Sequence, residues 1–369
     1  MSAKLNNLND EQNKAKEKFL NLFVKVFCYL KEKKQESGTS NVLKYESVKF
    51  PELVDGQVLI ENEFAGLNFI DTYHRSGLYP LPLPQTLGVE GCGTVAQVTP
   101  KAKSQYKLKE GDKVAYYDIG SYSQHKIVNA EKTVPIPSKI SMDVAGASLV
   151  QGMTAHYLMR STYPLQKGEW CVVHAAAGGV GQCLVQVAKI LQAKVIATTS
   201  TPEKAQVALQ IGADHAVHYN DLKKAVKTAT NGISPYIFLF FCKYVERNRQ
   251  GVSVVYDGVG ASTYSTSLEV LRVRGLAVFF GNASGPVPPL DLLQLSRGGS
   301  LFVTRPMLAH YLRDREELLW RAQEIFEWIA NDQLKIKIDK IYSLQQVAQA
   351  HEYIEAGQTQ GKILLKCKQ

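Results

Sequence analysis

Residues 174 to 182 read HAAAGGVGQ and stand between the apolar run Cys171-Val172-Val173 and the helix-like run CLVQVAKIL. A glycine-rich turn between a strand and a helix lets main chain approach a pyrophosphate and turns the unpaired N–H groups of the helix start toward it. Ala175, Gly178 and Gly181 hold the three fingerprint positions, and Ala177, Gly178, Gly179, Val180 and Gly181 are the residues expected against a dinucleotide. The spacing alone is weak evidence, because a tight strand-to-helix turn used only for packing shares it. The surrounding βαβ pattern makes it a nucleotide loop.

The dinucleotide type is decided near the end of the second strand, where an NAD site places a carboxylate about 20 residues on from the glycines to bond the ribose 2′-hydroxyl. Here the residues are Thr198, Thr199, Ser200 and Thr201, with Glu203 already inside the next helix and Lys204 beside it. Hydroxyls and an ammonium suit a 2′-phosphate, and a carboxylate would repel one, so NADPH is expected over NADH. An ordinary solvated helix lysine at 204 is the competing reading.

Nicotinamide enzymes move hydride, and the protein supplies orientation and electrostatics. Reduction of a simple ketone needs a strong electrophile at the forming alkoxide, commonly zinc. Between Tyr29 and Trp170 only Cys92 could supply a thiolate, and no Cys and His stand at ligand spacing. A quinone or a conjugated enone, which accepts hydride to give a delocalised oxyanion, is the substrate this residue set suits.

The elements that position these residues follow from periodicity. Six short apolar runs, WCVVH (170–174), KVIAT (194–198), DHAVH (214–218), VSVVYD (252–257), GLAVFF (275–280) and SLFVT (300–304), alternate with helix-like segments, the order that builds a doubly wound parallel sheet. Val180, Leu184, Val187, Ala188 and Leu191 recur at helical spacing. Thr201-Pro202 opens a second helix and Gly212 closes it. Before residue 150 the texture is short alternating runs such as DGQVLIENE (55–63), GCGTVAQV (91–98) and KEGDKVAYY (109–117), which read as a mainly antiparallel β domain. Amphipathic helices near 315–331 and 343–357 and a strand, KILLK (362–366), are expected to return to that first domain. The division is then an extension over 1–35, a β domain over 36–150, an inserted α/β domain over 151–305 and the return over 306–369. The stretch 232–250, with the run YIFLFF, fits no element and reads as an insertion foreign to the fold, with a buried extra element or an oligomer contact as the alternative.

Bulk properties agree with an intracellular globular enzyme. The 369 residues are 45% hydrophobic and 21% charged, enough for two cores. The formal charge of +9 is dispersed, which suits anionic ligands and keeps RNA binding, with the nucleotide pocket as a regulator, as a second class of function. Six widely spaced cysteines point to a reducing compartment, and the cytoplasm is expected, since no apolar stretch approaches the roughly 20 residues that span a bilayer.

Seven segments, LNFIDTYHRSGLYP (67–80), TLGVEGCGTV (86–95), QGMTAHYL (151–158), HAAAGGVG (174–181), VVYDGVG (254–260), FFGNASG (279–285) and FVTRP (302–306), stand in one order. Together they resemble the zinc-free quinone oxidoreductases, zeta-crystallin type, of the medium-chain dehydrogenase/reductase superfamily, over about 38 to 367. Zinc-dependent relatives carry G-H-E where this chain has Gly88-Val89-Glu90, and a cysteine-rich lobe that is absent here. The resemblance implies a Rossmann domain inserted in a GroES-like catalytic domain, and a homodimer. It implies that Asn68 and Thr154 border the nicotinamide, that Tyr73 and Tyr79 line the substrate cleft with Tyr73 the leading proton donor, and that Asp71 and Arg75 support that loop. Lys204 and Tyr219 fall around the 2′-phosphate together with Thr199 and Ser200. Gly258, Phe280, Asn282, Ser284, Arg305 and, from the tail, Gly361 and Lys362 fall along the dinucleotide. The competing reading is that Tyr73 and Tyr79 are half-buried packing aromatics.

Overall fold

The computed structural model describes residues 24–27, 38–48, 51–230 and 250–368. The expected N-terminal extension and the atypical stretch 232–250 lie largely outside these described residues. The chain divides into two units, Met1–Ile136 with Ile341–Ala356 and Leu364–Gln369, and Pro137–Lys340 with Gly357–Ile363.

In the first unit, β1 (Val24–Phe27) pairs antiparallel with β2 (Tyr45–Val48). Then come β3 (Gln57–Leu67), α1 (Phe69–Ser76), β4 (Glu90–Val98), α2 (Pro100–Tyr106), β5 (Lys113–Tyr117), β6 (His125–Asn129) and β7 (Thr133–Pro135). β3 runs antiparallel to β4 and β6, β4 to β5, and β5 to β7. Val58, Ile60, Val95, Val114, Tyr116 and Val128 point inward from these strands and form the core. Two register slips in β3 bend it, and at one of them the buried Asn62 donates to the carbonyls of Ser121 (3.2 Å) and Ser123 (2.9 Å). A Cβ at Gly93 would lie 2.1 Å from Glu61 O, so β4 can pass this bend only as glycine.

The second unit begins with α3 (Met142–Tyr157) and continues through β8 (Trp170–Val173), α4 (Gly179–Ile190), β9 (Lys194–Thr199), α5 (Pro202–Gln210), β10 (His215–His218), α6 (Leu222–Thr230) and β11 (Val252–Asp257). It goes on through α7 (Tyr264–Glu269), β12 (Leu271–Phe279), α8 (Leu292–Arg297), β13 (Phe302–Thr304) and α9 (Arg315–Ala330). The sheet order is β10-β9-β8-β11-β12-β13, and every neighbouring pair is parallel. This is the doubly wound arrangement, whose strand order reverses between β8 and β11. All six residues of β11 are buried, as expected for a central strand covered on both faces. The α4 stripe holds at Leu184, Val187 and Ala188, which are buried, while Val180 and Leu191 are half-exposed. Thr201 caps α5 by accepting from Lys204 N–H (3.3 Å), and Gly212 follows the helix at φ +107°.

Two sequence expectations need correction. The helix expected near 315–331 to cover the first domain is α9, and it packs instead on α3 in the second unit. Gly152 of α3 leaves room for Ile325, which a Cβ there would meet at 3.1 Å. The second unit therefore starts at Pro137 rather than 151, and the return starts at Ile341 rather than 306. The return consists of β14 (Ile338–Ser343), α10 (Val347–Glu355) and β15 (Lys362–Lys366), and the order β14-β15-β3-β4-β5-β7, with β6 on β3, completes a seven-stranded sheet. Ser343, near the start expected for the second helix, ends β14 and also caps the 3-10 turn Leu344–Gln346 that leads into α10. Among the described residues no helix is long and apolar enough to cross a membrane.

Candidate functional site

In the second unit, β8 ends in a turn that opens α4 at Gly178, whose backbone is extended and which has no side-chain cap. The N–H groups of Gly179, Val180 and Gly181 therefore have no intrahelical acceptor. Ala175 takes the left-handed conformation (φ +50°), and its carbonyl accepts from Gly178 N–H at 2.9 Å. The Gln182 amide closes the turn from below by donating to Ala177 O at 2.7 Å. A Cβ at Gly181 would stand 2.4 Å from Ala175 O, and one at Gly179 would stand 2.3 Å from Gln151 Oε1. Glycine is needed at 181, where the neighbours are backbone, while at 179 a Cβ would displace only the end of the Gln151 side chain, and the result is a cradle of open main-chain donors that fits a pyrophosphate.

At the adenosine end, Thr199 is buried and donates to Thr201 O (3.2 Å), whereas Ser200 is exposed. Lys204 is half-buried and its ammonium donates to Gly357 O at 2.5 Å. The partner of the ammonium is thus one neutral carbonyl. Tyr219 lies with its ring stacked on His174 at 5.8 Å and 15°. Burial raises its phenol above the usual range, and its oxygen faces Ala175 N–H and the Thr198 hydroxyl. Its hydroxyl thus turns toward the glycine turn.

Beyond β11, the fully buried Asp257 caps the next turn by accepting from Val259 N–H (2.8 Å) and Gly260 N–H (3.0 Å). A Cβ at Gly258 would press on the Phe280 ring at 2.9 Å. Ser284 Oγ donates to Val259 O (2.8 Å) and accepts from Ser262 N–H (3.0 Å), tying this turn to the one after β12. Arg305 donates to Phe279 O at 2.6 Å, and with the Asn282 amide turned to satisfy its neighbours, Asn282 accepts from Arg305 at 3.1 Å. Arg305 and Asn282 therefore brace the end of β12. Thr154 is buried on α3, one turn beyond Gln151. Lys362 is buried and its N–H donates to Lys337 O at 2.8 Å, directly after Gly361 at φ +144°.

In the first unit, Asn68 starts α1 with a capping box in which Asp71 Oδ2 accepts from Asn68 N–H at 2.9 Å. Both Asn68 amide hydrogens are engaged, by Gly66 O (3.2 Å) and by the buried Glu90 carboxylate (2.8 Å). Tyr122 O–H donates to the same Asp71 oxygen at 2.7 Å. Tyr73 and Tyr79 meet edge to face at 5.1 Å, and Phe69 meets Tyr73 at 5.5 Å. Tyr73 is buried and Tyr79 half-buried. Arg75, almost fully buried, makes a two-bond contact with Glu355 of α10 (2.5 and 2.9 Å) and reaches His351 Nδ1 at 3.2 Å. This unit thus carries Asn68, Tyr73 and Tyr79 on α1 and its two ends, while the second carries the glycine turn, Ser200, Lys204, Tyr219 and the ends of β11 and β12.

Sequence reasoning missed Gln151, Glu90 and the roles of His174 and Asp257. An acid closing a strand just before a glycine turn, Asp257-Gly258, was the available signal for the last. Among the described residues no group of three or more His, Cys, Asp or Glu could hold a metal ion.

Comparison with known proteins places this geometry. The alcohol dehydrogenase GroES-like domain matches residues 54–165, and the family described as zinc-binding dehydrogenase matches residues 179–315. A quinone oxidoreductase of Pseudomonas aeruginosa is 40% identical over 333 residues, 89% of this chain and 96% of that protein. A 2-haloacrylate reductase of a Burkholderia species is 35% identical over 342 residues, covering 90% and 96%. The crystal structure of Escherichia coli quinone oxidoreductase complexed with NADPH superimposes with a TM-score of 0.83 at 38% identity, covering 93% of this chain and 99% of that one. The chain belongs to the quinone oxidoreductases, zeta-crystallin type, of the medium-chain dehydrogenase/reductase superfamily.

Proposed function

We propose that this protein is an NADPH-dependent quinone oxidoreductase. The observation that carries the reading is the pairing of an open, glycine-enforced helix start with a second strand whose end holds hydroxyls and Lys204 where an NAD site holds an acid. When bound, the dinucleotide supplies hydride. The chain's own residues do the rest. The N–H groups of Gly179 to Gly181 hold the pyrophosphate, and Ser200 and Lys204 take the 2′-phosphate, for which Lys204 exchanges Gly357 O for a charged partner. Thr154 and Lys362 line the nicotinamide half. Tyr73 and Tyr79 offer aromatic faces to a flat quinone, and the Tyr73 hydroxyl or solvent delivers the proton. Glu90 and Gly66 use both Asn68 amide hydrogens and the capping box holds the side chain at the start of α1, so Asn68 borders the nicotinamide in a fixed orientation.

The 35% identical 2-haloacrylate reductase supports a second reading, reduction of a conjugated double bond on the same scaffold. Initial rates with NADPH and with NADH against a panel of 1,2-quinones, 1,4-quinones and short alkenals test both. We expect NADPH to exceed NADH by at least about tenfold in kcat/KM and quinones to exceed alkenals. Equal rates with the two dinucleotides would sink the cofactor assignment. Two copies are expected to associate along β13, the last strand of its sheet, where Phe302 is 60% exposed and Leu292 nearby in sequence is 75% exposed. Sedimentation equilibrium reads that outcome directly.

A further inference from the structure

His174, the first residue after β8, is 1% exposed and makes two side-chain hydrogen bonds in opposite directions. Its Nδ1 lies 2.7 Å from Thr198 Oγ1 on β9, and its Nε2 lies 3.0 Å from Ser267 Oγ on α7. Ser267 Oγ in turn lies 2.7 Å from Asp257 Oδ2. The carboxylate of Asp257 also accepts from the Thr263 hydroxyl (2.8 and 2.9 Å) and from the N–H groups of Val259 and Gly260.

The carboxylate fixes the polarity of the whole chain. It can only accept, so the Ser267 hydroxyl donates to it. The Ser267 oxygen then accepts from His174 Nε2–H, which leaves Nδ1 as a lone pair that accepts from the Thr198 hydroxyl. His174 is a neutral imidazole with its proton on Nε2, and its burial, which lowers its basicity, agrees. One face of the same ring supports Tyr219.

The chain joins the carboxyl ends of β9, β8 and β11, the three strands that flank the point where strand order reverses and where a dinucleotide lies across such a sheet. We propose that His174 is a positioning residue that locks the adenosine end of the crevice, through Thr198 and Tyr219, to the Gly258–Gly260 turn, so that the two ends meet the dinucleotide as one pre-set surface. Pre-setting lowers the ordering cost of binding. This role rests on the NADPH reading above.

The test uses NADPH and 2′,5′-ADP, a probe that carries the adenosine end alone and cannot reach the Gly258 turn. Dissociation constants are measured by titration calorimetry for the full-length protein and for Ser267→Ala, His174→Phe and the double variant. Phenylalanine keeps the ring against Tyr219 and removes both hydrogen bonds. Ser267→Ala breaks the middle link alone and is the decisive variant where His174→Phe fails to fold. We expect Ser267→Ala to weaken 2′,5′-ADP by about fivefold, His174→Phe by about tenfold or more, and the double variant to be no weaker than His174→Phe. A 2′,5′-ADP affinity in Ser267→Ala within about twofold of the unaltered protein, or fully additive losses, would overturn the proposal while leaving the cofactor reading intact. Failure of the unaltered protein to bind either ligand would overturn both.

Discussion

The glycine turn of the second unit and the tyrosine loop of the first present ligand-facing atoms in opposite ways. Around Gly178 to Gly181 the exposed chemistry is main chain, and the Gln182 side chain works from behind it. On the loop 68–79 the exposed chemistry is side chain, with Tyr79 half-exposed and the main chain committed to a capping box and to Asp71. The first kind of surface cannot accept an added atom at Gly181, because the position a Cβ would occupy there is taken by backbone. The second can change by degrees. A fixed cofactor with a variable substrate is the situation to which that contrast is suited.

The sharpest way to break the contrast is Gly181→Ala. Its Cβ would stand 2.4 Å from Ala175 O and 2.7 Å from Ala176 Cα, both backbone atoms that cannot swing aside. We expect about 3 kcal/mol lost from stability in urea denaturation and cofactor binding weakened about a hundredfold. Binding within a few fold of the unaltered protein would mean the turn is not a close-approach site. Next in size, Lys204→Glu should weaken NADPH about thirtyfold and leave NADH nearly unchanged, measured by fluorescence titration, since it places a carboxylate where the extra phosphate is expected.

Acid pH sets the two units on common ground, for each carries a buried histidine beside a cation. Burial holds His156 of the second unit at about 4 and His351 of the first, also opposed by Arg75, at about 3, both below the ordinary 6.5. The unfolded chain therefore binds these protons where the folded one does not, so the stability they allow is complete above about 6.5 and is lost as pH falls toward 4. Glu324, whose pKa is lowered through Trp320 and His156 despite partial burial, adds a loss in the same direction. Denaturation midpoints should fall between pH 7.5 and 5.5, with a limiting slope of about 1.4 kcal/mol per pH unit for each proton. A flat profile would contradict the buried neutral histidines.

The smallest expected effect is on the tyrosine loop. Tyr73→Phe should change kcat by about twofold where solvent supplies the proton, whereas Tyr73→Ala, which also breaks the edge-to-face pairs with Phe69 and Tyr79, should raise quinone KM by about tenfold. A Tyr73→Phe loss of about a hundredfold in kcat would instead make this hydroxyl the obligatory donor.

The readable parts of the fold are those where one residue type answers to one environment. β11 is buried and mainly apolar because both its faces are covered, and the six runs read as strands stand together in one parallel sheet, as alternation with helices implies. β14 escaped because IDKIYS is half-exposed and has no clean alternation. The face of α9 was legible but not its address, since only the fold shows that Gly152 makes room for Ile325. The same limit applies to the site. The glycine turn could be found from local spacing, whereas Glu90 on Asn68 and Thr198 and Ser267 on His174 join residues 22, 24 and 93 positions apart.

Ala175 occupies a backbone region that side chains with a Cβ visit rarely, at φ +50°. A glycine there would ease the folded turn and at the same time enlarge the freedom of the denatured chain, and these two effects pull in opposite directions. Residue 175 thus acts as a tuning screw for the stiffness of the phosphate cradle, one that selection can turn without touching any atom that meets the ligand.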